Sequence, residues 1–144
     1  MSLDLSYSAE QVALQTSIAT FCERSGLGPL YTVHEALPDG FWPGLAEIGV
    51  LGLGTEQVGG GPLEIAAAME TLGSFGAPGP LVGTFTAGAL LDADEMSPFA
   101  SGEAMVSVGD GSIYPWAPRA ARFIELGHAE AWLVEPGEIT HVDT

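Results

Sequence analysis

The sequence contains no lysine, and its three arginines stand against 19 aspartates and glutamates, which leaves a formal net charge of −16. Such a surface repels phosphate backbones and anionic lipid headgroups. We therefore expect neither nucleic-acid binding nor a polybasic membrane anchor.

Cysteine and long apolar runs are scarce as well. A single cysteine, Cys22, excludes an internal disulfide and a cysteine-based zinc site, and it fits a reducing compartment. No run approaches the roughly 18 apolar residues of a membrane-spanning helix, and the chain does not open with a secretory signal pattern. These features predict a soluble, acidic, cytoplasmic protein that does not enter a membrane.

Hydrophobic residues make up 47% of the 144-residue chain, enough for one packed domain. Apolar stripes with helical spacing predict four helices before residue 92. Their expected starts are the capping box Ser8–Gln11, Asp39, Pro62 and Pro80. Gly83 and Gly88 each weaken the fourth helix by roughly 1 kcal/mol against alanine, so we expect them to allow close contact with another helix.

The pattern changes after a one-turn helix that is expected to start at Ser97. Beyond it, β-like runs alternate with turns. The predicted strands are Ala104–Val108, Arg122–Leu126, Ala131–Val134 and Ile139–Val142, with a hairpin turn at Glu135–Glu138. Helices followed by strands indicate two layers or two domains, and the sheet looks incomplete.

No self-contained catalytic site is visible, and we predict no catalytic residue and no metal ligand. Gly49–Gly54 fits a helix exit better than a nucleotide loop, and Gly59–Gly61 fits a connector better than an anion cradle. Cys22 lies on an apolar face, which favours a buried structural thiol over a nucleophile. The remaining polar candidates are expected to be solvated: His34, His128, His141, Asp92, Asp94 and Glu95.

Six short segments stand in a fixed order along the first 104 residues: Ser8–Leu14 (SAEQVAL), Phe41–Leu53 (FWPGLAEIGVLGL), Glu56–Gly60 (EQVGG), Ile65–Gly73 (IAAAMETLG), Ala77–Leu81 (APGPL) and Ala100–Ala104 (ASGEA). In this order they resemble the N-terminal part of the acyl-CoA dehydrogenase family. Each segment alone is a weak signal, and the agreement in order makes it a strong one. The resemblance covers residues 5 to about 108.

The resemblance implies a mainly α fold: a helical N-terminal domain, a helix bundle, over 1–103, followed by the first strands of a β-barrel-like middle domain over 104–144. It implies α,β-dehydrogenation of an acyl-CoA thioester, with hydride transfer to FAD and electrons passed to an electron-transfer flavoprotein. The unfinished sheet leaves strand edges unpaired, and a chain with a net charge of −16 supplies few cations for the CoA phosphates, so we expect a neighbouring chain in a homo- or hetero-oligomer.

The resemblance also assigns residues to ligands. Val106, Ser107 and Val108 correspond to the segment that meets the flavin. Leu81, Thr84 and Phe85 lie on the helix under the acyl chain, where Gly83 and Gly88 are expected to leave room beside Phe85. The alternative for this helix is ordinary packing with no ligand.

Three departures from the family favour an alternative function. Gly109–Ser112 stands where the family often shows T-E-P-x-x-G-S-D, and neither the D-P-T-R continuation nor the C-terminal helices with the base carboxylate occur in the sequence. The chain alone is therefore expected to be inactive. The alternative is a non-catalytic structural or interaction subunit of a hetero-oligomeric acyl-CoA dehydrogenase.

Overall fold

The computed structural model describes residues 6–28, 37–134 and 136–138. Both helices and strands are present there, so the fold of this part is mixed α/β and not simply α. Its α-helices are α1 (Ala9–Arg24), α2 (Phe41–Glu47), α3 (Pro62–Ser74), α4 (Leu81–Leu90) and α5 (Ala93–Ala100). Its strands are β1 (Val106–Gly109), β2 (Arg122–Leu126) and β3 (Ala131–Val134), and short 3-10 turns lie at Val50–Gly52, Ala117–Arg119 and Pro136–Glu138.

Several helix ends follow the local sequence signals. The Ser8 hydroxyl accepts a hydrogen bond from the Gln11 N–H at 3.2 Å, and the Ser8 N–H donates to Gln11 Oε1 at 2.9 Å. This reciprocal pair confirms the predicted capping box of α1. Pro62 occupies the first turn of α3 as predicted, and Gly49 follows α2 with a left-handed φ of 79°.

Two predicted helix starts are wrong. The residue before α2 is Gly40, with a φ of 72° and no side-chain cap, so Asp39 does not cap the helix. α5 begins at Ala93 and not at Ser97, because the Asp92 carboxylate accepts the Glu95 N–H at 2.9 Å and nucleates the first turn. The cap and first turn of this helix therefore contain Asp92, Asp94 and Glu95. The helix dipole stabilises negatively charged carboxylates at that end.

The sheet has the order β1-β2-β3, with β1 parallel to β2 and β2 antiparallel to β3. The predicted bounds of β2 and β3 are confirmed, and β1 starts two residues later than predicted. A hairpin joins β2 to β3, closed by a bond from the Gly127 N–H to the Glu130 carbonyl at 2.8 Å. The run predicted at 139–142 lies outside the described residues, and with it the second strand of the hairpin predicted around Glu135–Glu138.

Two hydrophobic clusters hold the fold together. The first combines buried residues of α1, α2, α3, the turn at Val50–Gly52 and the first residue of α4. The second joins α4 and α5 to the sheet through Ala87, Met96, Phe99, Val106 and Ile124. All the described α-helices end by residue 100 and the strands begin at residue 106, so this second core crosses the boundary predicted at 103/104.

Cys22 is fully buried in the first cluster. Burial, together with the nearby Glu23 carboxylate, raises the pKa of the Cys22 thiol to about 11. A protonated, enclosed thiol is a poor nucleophile, which agrees with the structural role predicted for it. Among the described helices, none is both long and apolar enough to cross a membrane.

Candidate functional site

Helix α4 lies directly against strand β1, and this contact brings together the two groups of residues singled out from the sequence. Gly83 lies at this contact. A β-carbon at Gly83 would lie 3.2 Å from the Val106 carbonyl oxygen and 3.4 Å from both the N and the Cγ2 atoms of Val108. The glycine thus allows a helix to approach a strand, and not another helix as expected. The space in front of Gly83 is taken by β1.

On α4, the three residues assigned to the acyl chain differ in accessibility. Leu81 is buried in the first cluster, and Phe85 is half-buried against that cluster. Thr84 is fully buried, and its hydroxyl donates to the Pro80 carbonyl at 2.9 Å. In this arrangement only Phe85 keeps part of its surface open to a ligand.

On β1, the three residues assigned to the flavin alternate between the two faces of the sheet. Val106 is buried and Val108 half-buried, and both contribute to the cluster shared with α4 and α5. Ser107 is opposite Phe123 in the parallel register, on the other face. Its buried hydroxyl donates a short hydrogen bond to the Pro115 carbonyl.

Two residues of the segment between β1 and β2 contact that second face, and the sequence analysis did not single them out: Tyr114 and Pro115. The Tyr114 ring packs edge-on against Phe123 at a centroid distance of 5.7 Å, and its hydroxyl donates to Glu125 Oε2 at 3.0 Å. Trp116 has a left-handed φ of 64°, which is unusual for an aromatic residue. No spacing rule marks Tyr114, because its partners Phe123 and Glu125 lie on β2, in another part of the chain.

The segment that departs from the family motif forms a local turn. The Asp110 carboxylate accepts the Ser112 N–H at 3.0 Å. This bond and another from the Ile113 backbone hold the pKa of Asp110 below its usual range. The hydrogen-bond donors of the Asp110 carboxylate thus come from its own loop, as in an Asx turn.

A groove of about 450 Å³ lies where α2 faces the chain entering β1, lined in part by Asp39, Glu103 and Arg119. Trp42 also lines it, and its Nε1 atom is buried without an acceptor among the described residues. Because that atom has almost no accessible surface, a molecule in the groove would not reach it without a rearrangement. The groove therefore has charged side chains of both signs, and the Trp42 indole N–H is not available to a ligand in it.

The glycines before α3 do not form an open anion site. Glu64 occupies the helix N-terminus, where its Oε2 atom accepts the Gly61 N–H at 2.8 Å. Its Oε1 atom accepts from Gln11 Nε2 at 2.8 Å and so links α3 to α1. A carboxylate of the chain itself fills the position an anion would take, which supports the connector interpretation of Gly59–Gly61.

This arrangement predicts an acid-sensitive contact between α1 and α3. The hydrogen bond from Gln11, followed by those from the backbone N–H groups of Glu64 and Gly61, lowers the pKa of Glu64 from 4.5. A carboxyl group with a lowered pKa in the folded state stabilises the fold above its unfolded pKa, and the contribution is lost as pH falls through the folded value. We expect Glu64→Gln to lower the melting temperature at neutral pH and to flatten its fall below pH 4.5. The matched variant Glu47→Gln, on the exposed side of α2, should keep the slope of the parent; equal slopes for all three proteins would contradict the prediction.

The remaining polar candidates are not brought together. His128 is exposed in the β2–β3 turn, and His34 and His141 lie outside the described residues. Within the part of the chain that the structure describes, no group of three histidine, cysteine or acidic side chains could hold a metal ion. The chain matches no protein-family model, no curated protein and no solved structure.

Proposed function

We propose that this chain is the helical part and first β-strands of an acyl-CoA dehydrogenase-like flavoprotein, which removes hydrogen from an acyl-CoA thioester and passes a hydride to FAD. The observation that supports the proposal is the α4–β1 contact. The segment assigned to the acyl chain and the segment assigned to the flavin are more than twenty residues apart, yet they lie against each other through Gly83. Hydride transfer requires that the acyl chain and the flavin also lie in contact with each other.

The side chains on α4 fit an acyl tail better than a charged group. Leu81 and Phe85 are apolar, and α4 contains no charged residue. Binding of a hydrocarbon chain to these apolar side chains is favourable because it removes apolar surface from water. On β1, the Ser107 hydroxyl already donates to Pro115, so β1 would meet a flavin mainly through backbone groups and valine side chains.

The chain itself supplies too few positive charges to bind the phosphates of both ligands. The phosphates of CoA and FAD are anionic, whereas this chain carries a net charge of −16 and only three arginines. Arg119 and Arg122 are the two in the β part, and both are exposed. We therefore place the catalytic base and most phosphate contacts in other parts of the enzyme, which acts as a homo- or hetero-oligomer in the cytoplasm with an electron-transfer flavoprotein as acceptor.

One observation favours the alternative, a non-catalytic structural or interaction subunit paired with a complete dehydrogenase. Four of the six assigned residues, Leu81, Thr84, Val106 and Ser107, are buried by the chain itself. Both hydroxyls among them donate to backbone carbonyls of the chain. A helix and a strand satisfied in this way can be structural without contacting a ligand.

Flavin content distinguishes the two functions. We expect the purified 144-residue chain to bind no stoichiometric FAD, since it supplies few phosphate contacts. The whole gene product, isolated with any partner that co-purifies, should carry flavin whose absorbance bleaches when a saturated acyl-CoA is added. Bleaching that needs only the partner, and persists without this chain, would support the subunit alternative. A whole gene product and assembly without flavin would contradict both functions.

A further inference from the structure

A second surface, to which we assign neither the acyl chain nor the flavin, lies between α5 and strand β3. It is a groove of about 180 Å³. Its lining includes the apolar side chains of Leu91, Phe99 and Leu133 and the carboxylates of Asp94 and Glu95. We call it the α5–β3 groove.

The groove exists because α5 covers only part of the sheet. Ile124 of β2 is buried under Phe99 and Met96, whereas Leu133, directly opposite Ile124 on β3, is 52% exposed. Opposed residues of antiparallel strands share one face of the sheet, so Leu133 continues the apolar surface beyond the edge of the helix. One further apolar side chain, placed between Phe99 and Leu133, would complete this layer.

The groove is surrounded by negative charge. Asp94 and Glu95 are exposed in the first turn of α5. Leu91 also lines another groove, of about 290 Å³, together with Glu56 and Asp92. Arg122 is the cation that also lines the α5–β3 groove. Carboxylates thus outnumber cations around an apolar depression, in a chain that has no lysine to neutralise them.

We propose that the α5–β3 groove is a docking site for a basic protein segment. One apolar side chain of the segment enters between Phe99 and Leu133, and lysines or arginines beside it pair with Asp94 and Glu95. Apolar contact supplies affinity, and the acidic surroundings select the partner and speed its approach. A second copy of this chain is a poorer occupant because it carries the same net charge of −16. The proposal goes beyond the dehydrogenase function, to which this groove contributes no step.

The test uses a short synthetic peptide in which one phenylalanine is flanked by lysines, titrated into the chain at low salt. Binding is measured by fluorescence anisotropy and mapped by amide shifts in NMR spectra. We expect shifts to concentrate in α5 and β3. Leu133→Ser and the double variant D94N/E95Q, which keeps the Asp92 cap, should each weaken binding by about tenfold, equivalent to about 1.4 kcal/mol.

Matched controls separate this site from general attraction to an acidic protein. Leu63→Ser removes a leucine of α3 that is 64% exposed, and E10Q/E23Q removes two exposed carboxylates of α1. Both variants should bind the peptide within about twofold of the parent chain, and a peptide with alanine in place of phenylalanine should bind weakly to all of them. Equal losses for the two double variants, shifts spread over the whole surface, or no binding would overturn the proposal. Self-association that Leu133→Ser abolishes would overturn it in favour of a second copy as occupant.

Discussion

Replacing Trp42 by alanine is expected to cost about 3–5 kcal/mol of unfolding free energy, the range for losing a large buried aromatic side chain. Trp42 is only 2% exposed, and its ring lies against the backbone of Gly79. Alanine would leave a cavity between α2 and the Gly79 turn that the surrounding backbone cannot close. Urea unfolding followed by circular dichroism measures the loss as a lower midpoint with an unchanged slope.

Two matched variants make this expectation specific. Trp132→Ala removes an indole that is 47% exposed, and we expect it to cost less than about 1 kcal/mol. Trp42→Phe should lose less than Trp42→Ala, because phenylalanine keeps a ring and removes the buried Nε1 group that has no acceptor among the described residues. Equal losses of unfolding free energy for Trp42→Ala and Trp132→Ala would contradict the burial of Trp42 in the core.

Gly83→Leu is expected to separate α4 from β1 and to destabilise the chain by at least about 1–3 kcal/mol, the usual cost of overpacking. The leucine would meet the Val106 carbonyl and the Val108 backbone, which are held in the parallel pairing with β2. Thermal melting measures the change, and hydrogen exchange of the β1 amides should accelerate more than that of α1.

The control for this variant is Gly73→Leu in α3. A β-carbon at Gly73 meets no atom within 4 Å, and leucine has a higher helix propensity than glycine. We expect Gly73→Leu to be neutral or to stabilise the chain by up to about 1 kcal/mol. A Gly83→Leu variant as stable as Gly73→Leu would mean that α4 and β1 are not in close contact, and the proposed meeting of substrate and flavin segments would lose its support.

Local signals in the sequence predicted several elements correctly. The capping box at Ser8, the proline that opens α3 and the bounds of β2 and β3 depend on residues close in the chain, so their neighbours suffice to define them. The burial of Cys22 followed from its place on an apolar helix face. The expectation that the chain does not bind nucleic acid depends on composition alone, because net charge does not depend on the fold, and it stays a prediction.

Contacts between distant residues were decided only by the tertiary structure. The parallel pairing of β1 with β2, the strand in front of Gly83 and the exposure of Leu133 each depend on where another element packs. The same holds for α5, where the burial of Met96 and Phe99 supports a helix that contains Pro98. Sequence periodicity states which face of an element is apolar, but only the packed chain determines which partner covers that face and where the cover ends.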